Sequence, residues 1–462
     1  MYDLVIKGGT VVTATSASLS TGVSTFTVDI GINRETIAAI GQNLSGKQTL
    51  DATGKLVTPG AVDMHVHLQM PIGNFTSTDG FYSGSRAAAF GGTTTIIDFV
   101  ETQAAETMVE AIAARRALAD PNVVIDYGLH MTIGPGDITK LDQVPEAYAE
   151  GCTSFKLYMA YGLRLRDDEL LRALTAVRDV SGIPVVHAEN WDVITELIRQ
   201  NLAAGHTSPH WHPRSRPALL EAEAAGRVID IASFVGVPLH IFHVSCGEAA
   251  ARIAQARQQG LPVTGETCPQ YLFLTQDVYD APGVDGTLPV CSPPIRDHAA
   301  QTALWQALSR NDLQIVTTDH CPFTIEEKAT GLGNYSQIPG GVPSIEMRFA
   351  ALYSQGVRQG LLSLPQWVTQ CCTNPAKLMG LAKKGEITVG YDADLVIFDP
   401  EATKTITPET LHEAAGWTPY NGLTLQGWPQ TTLCRGNVVV HDGKFVGEKG
   451  YGRFLHRTHA NL

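Results

Sequence analysis

Between residue 59 and about residue 320, short apolar segments alternate with longer amphipathic ones. That alternation constrains the fold of the 462-residue chain more than any other feature of it. Eight segments read as strands: residues 61–67, 93–99, 123–133, 154–159, 184–188, 239–245, 262–266 and 314–319. The stretches between them, such as residues 104–119, 167–180 and 249–258, carry Ala, Leu, Glu and Arg at amphipathic spacing and often close on Gly or Ser-Gly. Repeated strand-then-helix units build a parallel sheet, and eight of them predict a closed (β/α)8 barrel. The alternative is an open doubly wound sheet. No G-x-G-x-x-G follows the first strand, which weakens the nucleotide-binding version of that alternative.

Both ends of the chain read as β-structure. Residues 3–7 and 10–13 flank a Gly8-Gly9 turn, residues 26–32 alternate, and residues 36–40 stop at Gly41. After Leu381, residues 385–399 read as a turn-rich strand pair and residues 432–444 as a hairpin on an Asp442-Gly443 turn. The expected division is therefore residues 1–58 and 383–462 pairing into one β-domain around a barrel of residues 59–382. The basic, aromatic stretch at 450–457 is expected either to fray or to dock on a neighbouring subunit.

Composition narrows the partners. A formal net charge of -13 argues against nucleic acid, which favours basic surfaces. No apolar run approaches the roughly 20 residues of a membrane span, and the first residues lack a signal-peptide pattern. The 8 cysteines include no C-x-x-C pair and suit reduced thiols in a cytoplasmic enzyme.

Candidate chemistry sits at the strand ends, where barrels gather their functional groups. His65 and His67 lie two apart in the first strand, so both imidazoles project from one face. Alone, that pair is as readily a surface accident, or two satisfied core histidines, as a metal site. Lys156 ends the fourth strand, His187 the fifth, His243 the sixth and Asp319 the eighth. Four imidazoles, a carboxylate and a lysine on one rim point to a metal centre. Lys156 lies in an apolar strand, where an ammonium ion is costly to desolvate. It either pairs with a carboxylate, or loses its proton and reacts with carbon dioxide. The resulting carbamate (an N6-carboxylysine) has two oxygens and can bridge two metals about 3.5–4 Å apart. Such nitrogen and oxygen ligands suit two Zn²⁺ ions, with Mn²⁺ or another divalent ion as the alternative.

These residues stand in segments that resemble the cyclic amidohydrolases of the dihydropyrimidinase/D-hydantoinase type. The segments include Pro59-Gly-Ala-Val-Asp-Met-His-Val-His67, Gly91-Gly-Thr-Thr-Thr-Ile-Ile-Asp98, Ser154-Phe-Lys-Leu-Tyr158 and His187-Ala-Glu-Asn190. Further on come His243-Val-Ser-Cys246, Glu266-Thr-Cys-Pro-Gln-Tyr-Leu272, Cys291-Ser-Pro-Pro-Ile-Arg296, Thr318-Asp-His-Cys-Pro-Phe323 and Gly390-Tyr-Asp-Ala-Asp-Leu395. The likeness runs over nearly the whole chain. It implies an α/β fold, a TIM barrel with a β-sandwich built from the two ends, two zinc ions and a cytoplasmic homotetramer, with a homodimer as the alternative.

By position, the resemblance gives the more buried metal to His65, His67, carbamylated Lys156 and Asp319, and the other to Lys156, His187 and His243. Tyr161 matches the tyrosine that contacts the substrate carbonyl, and Ser292 the serine that holds the imide edge of the ring. Gly340 stands where the family carries an Asn in a Pro-Asn-Gly turn and would offer a main-chain contact. Hydrolysis would then open a 5-substituted hydantoin or a dihydropyrimidine to an N-carbamoyl amino acid, with Asp319 as general base and acid. An allantoinase-like activity on another ring, or a non-catalytic scaffold of this fold, are the competing expectations. Met70, Ile72, Phe75, Tyr158 and Leu165 are expected to face an apolar exocyclic group, or else to be ordinary loop packing. Gln69 replaces the Arg typical of dihydroorotases, which disfavours a carboxylate-bearing ring. His130, His320 and Cys321 receive no ligand role.

Overall fold

The computed structural model describes residues 1–14 and 25–459. Eight parallel strands pair in sequence order: Ala61–Asp63, Thr93–Val100, Asp126–Thr132, Ser154–Tyr158, Ile183–His187, Leu239–Ile241, Val263–Thr267 and Ile315–Val316. A parallel bridge between Val66 and His320 joins the first strand to the eighth, and the His67 N–H donates to the His320 carbonyl at 2.8 Å. The sheet is thereby closed into the predicted barrel. Side chains divide between its two faces with period 2. Ile97 and Phe99 join one apolar cluster with Val62, Met64, Val185, Phe242 and Ile315, whereas Ile96 and Val100 join the larger cluster with the helices.

Several strands are shorter than their predicted segments. The first ends at Asp63, the sixth at Ile241 and the eighth at Val316. The chain leaves the ladder just before His65, His243 and Asp319, and the last two adopt left-handed φ values of 40° and 50°. Helix starts follow their caps. The helix Met108–Ala119 begins later than the predicted 104 because Thr107 and Glu110 form a reciprocal capping box, at 2.9 and 3.2 Å. The helix Asp167–Asp179 buries Leu170, Ala173, Leu174 and Val177, the spacing of one helical stripe.

The chain ends contribute a second sheet, of nine strands. Leu56–Pro59 lies antiparallel to Leu395–Thr405, and this pairing joins the N-terminal to the C-terminal contribution. The sheet has its own apolar cluster, including Ile6, Val11, Ile30, Val57, Leu395 and Leu433. The hairpin on Asp442-Gly443 is present, with φ of 48° and 68°. A second turn of the same kind, Arg435-Gly436, connects Thr424–Cys434 to Asn437–His441.

Among the described residues, the stretch after residue 450 packs against its own barrel. The third and fourth barrel strands pair only at Met131 and Thr132, which leaves the lower part of the third strand open on that side. The tail fills the gap: the Tyr127 N–H donates to Arg453 O at 2.9 Å, and the Leu455 N–H donates to Tyr127 O at 2.7 Å. Arg457 is buried and donates to Leu129 O and, at 2.9 Å, to Ser154 Oγ.

Candidate active site

A cavity of about 630 Å³ opens at the C-terminal ends of the barrel strands, and the six metal-ligand and three ring-binding candidates all line it. Nε2 of His65 lies 3.1 Å from Asp319 Oδ1, and Nε2 of His67 lies 3.3 Å from the same oxygen. The opposite nitrogen of His65, Nδ1, stands 2.5 Å from Glu266 Oε1, a contact that turns Nε2 towards the cavity. Burial raises the Glu266 carboxyl, but His65 and His240 outweigh it and hold it at about 2.

His187 is set in the same way. Its Nε2 donates to Glu189 Oε2 at 2.8 Å, an oxygen that also accepts from Arg216 at 2.6 Å. Nδ1 of His187 is then unprotonated and stands 2.9 Å from Nε2 of His243. Glu266, Glu189 and Arg216 were not singled out from the sequence. Their signal was present, since Glu266 lies in the seventh strand near its end and Glu189 follows His187 by two residues.

Lys156 is buried among aromatic rings at the cavity. Its Nζ stands 4.1 Å from the centre of the Phe242 ring, 4.8 Å from Tyr158 and 5.4 Å from Phe99. Burial pulls its pKa down to about 7. Among the described residues no carboxylate forms an ion pair with it.

The arrangement fits a cation. His65, His243 and Asp319 offer ligand atoms within 4.8 Å of one another. His65 Nε2, His67 Nδ1 and His243 Nδ1 are buried without hydrogen-bond partners, a state buried polar atoms rarely keep. A second acidic group, Asp126, Asp394 and Cys434, does not fit one, because Lys384 and Arg435 already neutralise it. His130 and His320 are satisfied core residues. His130 bonds to Met64 O at 2.8 Å and Ser154 Oγ at 2.6 Å, and His320 accepts the Ser344 N–H at 3.1 Å.

Three non-glycine residues on the cavity wall hold left-handed backbone: Tyr161 at φ 64°, His243 at 40° and Asp319 at 50°. Non-glycine residues adopt this region at a cost of about 1–3 kcal/mol, and functional sites concentrate such strain. Burial pushes the Tyr161 phenol up to about 12, so it stays a hydrogen-bond donor at neutral pH. Gly340 adjoins Ser292, since a Cβ placed on it would lie 3.8 Å from Ser292 Oγ. Met70, Ile72, Phe75 and Tyr158 line the wall as expected. Leu165 does not; it is buried in the core, and Leu163 and Trp191 take its place. Gln69 does not line the cavity either, so it gives no direct information about the ring.

The description "Amidohydrolase family" applies to a profile that matches residues 56–439. The chain belongs to this family. Among its amidohydrolase relatives, the D-hydantoinase of Geobacillus stearothermophilus is 44% identical over 460 residues, spanning 98% of this chain and 96% of the relative. The solved dihydropyrimidinase of Brevibacillus agri superposes with a TM-score of 0.94 at 40% identity, covering 99% of each chain. A D-hydantoinase structure from a Bacillus species gives 0.94 at 42% identity over 100% of both chains. The resemblance first read from short segments therefore holds along the whole amidohydrolase chain.

Proposed function

We propose that this protein hydrolyses a cyclic amide, a 5-substituted hydantoin or a dihydropyrimidine, to the N-carbamoyl amino acid. One observation carries the reading: six metal-ligand candidates and three ring-binding candidates line one cavity in a chain similar throughout to hydantoinases. His65, His67, Asp319 and carbamylated Lys156 would hold one divalent ion, and Lys156, His187 and His243 a second, most suitably zinc. When bound, such ions would supply Lewis-acid chemistry, lowering the pKa of a water and polarising the amide carbonyl.

The chain's own groups do the rest. Glu266 and Glu189 fix His65 and His187 with one nitrogen turned to the centre. The Tyr161 hydroxyl donates to the carbonyl oxygen as negative charge develops there, an effect worth a few kcal/mol for a preorganised donor. Asp319 takes the proton of the attacking water and passes it to the departing ring nitrogen. Ser292 and the backbone at Gly340 hold the imide edge. Met70, Ile72, Phe75, Leu163 and Trp191 offer an apolar wall to the exocyclic group. We also infer a barrel unit of residues 59–382 between the two β-contributions, a cytoplasmic location and assembly as a homotetramer.

Metal analysis combined with hydrolysis of phenylhydantoin and dihydrouracil tests the proposal. Metal with turnover of either ring upholds it. Metal with neither ring opened favours a related amidohydrolase acting on another ring, and no metal with no turnover favours a scaffold.

A further inference from the structure

Lys328 lies in the short helix Ile325–Ala329 and is fully buried, yet it is not part of the cavity wall. Its Nζ donates to Val290 O at 2.7 Å and to Pro339 O at 2.8 Å. Val290 stands two residues before Ser292, and Pro339 immediately precedes Gly340. The Val290 carbonyl accepts a further bond, from the Gly341 N–H at 2.9 Å. The Phe323 and Trp417 rings lie 5.7 and 5.9 Å from Nζ, and the buried thiols of Cys291 and Cys321 are nearby. Among the described residues no carboxylate pairs with Lys328. Burial draws its pKa down to about 7, and ammonium and amine alike keep N–H groups to donate. What the side chain supplies is donors. Two carbonyls from two different loops converge on one atom, and an uncharged aliphatic chain would leave the Pro339 carbonyl unpaired.

We propose that Lys328 is a positioning residue for substrate, fastening together the two backbone segments that present Ser292 and Gly340 to the ring. The proposal rests on the reading that these two segments grip the ring's imide edge. Lys328 touches neither substrate nor metal candidates, so its loss acts on ring binding and not on the bond-breaking step.

The test compares the metal-loaded wild-type enzyme with Lys328→Met, which keeps the length and removes the donors, and with Lys328→Arg, which restores them. Two readouts are taken: amide hydrogen exchange of residues 288–293 and 338–342, and steady-state kinetics on phenylhydantoin with metal content measured alongside. Lys328→Met should exchange about tenfold faster in both segments while the barrel strands are unchanged. Its KM should rise about tenfold with kcat within about threefold and metal retained, and Lys328→Arg should recover most of that loss. Unchanged exchange in the two segments overturns the proposal, as does faster exchange throughout the barrel or a fall in kcat accompanied by metal loss. If the wild type opens no ring, the functional reading fails, and hydrogen exchange, which needs no substrate, still decides whether the clamp exists. Should Lys328→Met not fold, Lys328→Gln, which keeps one donating amide, takes its place with the same readouts and the same deciding outcomes.

Discussion

At the scale of the residue, Lys156 and Glu189 carry opposite charge problems. Lys156 is walled by aromatic rings with its pKa drawn down to about 7 by burial, so a substantial neutral fraction exists near neutrality. Lys156→Ala should lose metal and lower activity by about a thousandfold or more, with partial recovery when short carboxylic acids are added; a fully metallated, active variant would refute the carbamate. Glu189 is fully buried, and although burial raises it, Arg216 and His187 prevail and hold it at about 2 instead of 4.5. Its folded value lies below its unfolded one, so its contribution is complete above pH 4.5 and is lost as pH falls towards 2. The upper limit of that contribution is about 3 kcal/mol. Melting curves of metal-stripped protein should therefore fall more steeply over this window in wild type than in Glu189→Gln. Equal slopes would mean that Glu189 does not stabilise the fold through its charge. These roles were half-legible beforehand. The histidines announce themselves by type and spacing, but a carboxylate that orients a histidine looks like any other acid until the two are brought within hydrogen-bond reach.

At the scale of the element, the loop at residues 338–341 and the C-terminal tail show what local sequence conceals. Gly340 and Gly341 are identical residues with different duties. At Gly341, φ is +148° and a Cβ would lie 2.2 Å from the Cys321 carbonyl oxygen, whereas at Gly340 nothing lies nearer than 3.8 Å. Gly340→Asn should keep kcat/KM within about threefold, while Gly341→Ala should lower it at least about tenfold. The reverse ranking in steady-state assays would show that the loop is held differently. The tail reads as an end that frays or docks on a neighbouring subunit, yet Arg457 inserts below its own barrel and donates to Leu129 O and Ser154 Oγ. Arg457→Ala leaves those acceptors dependent on other donors and should cost about 2–4 kcal/mol, read as a lowered denaturant midpoint with the slope unchanged. The gap that the tail fills exists only because two strands diverge, and no strand pattern reports divergence.

At the scale of the whole molecule, barrel and terminal sheet are joined by buried charge. Asp126, in the third barrel strand, pairs with Lys384 at 2.6 Å and Arg435 at 3.0 Å, and Lys384 also reaches Asp394 at 2.8 Å. A fragment of residues 59–382 keeps Asp126 and loses every one of those partners. Stranding a buried charge costs about 3–5 kcal/mol, so the fragment should be insoluble or molten by near-ultraviolet circular dichroism and dye binding. A cooperatively folding fragment would show the two units to be independent. The barrel, the β-character of both ends and the set of candidate metal ligands were legible in the sequence alone. Strand and helix periods, and the preference of functional groups for strand ends, are local or topological regularities that survive in one dimension. Only the tertiary structure decided which carboxylates orient which histidines, which glycine must remain glycine, where the tail lies and which residues truly face the cavity. Those depend on distances between segments far apart in sequence, such as Leu129 and Arg457, 328 residues apart, and close packing fixes such distances after the chain has closed on itself.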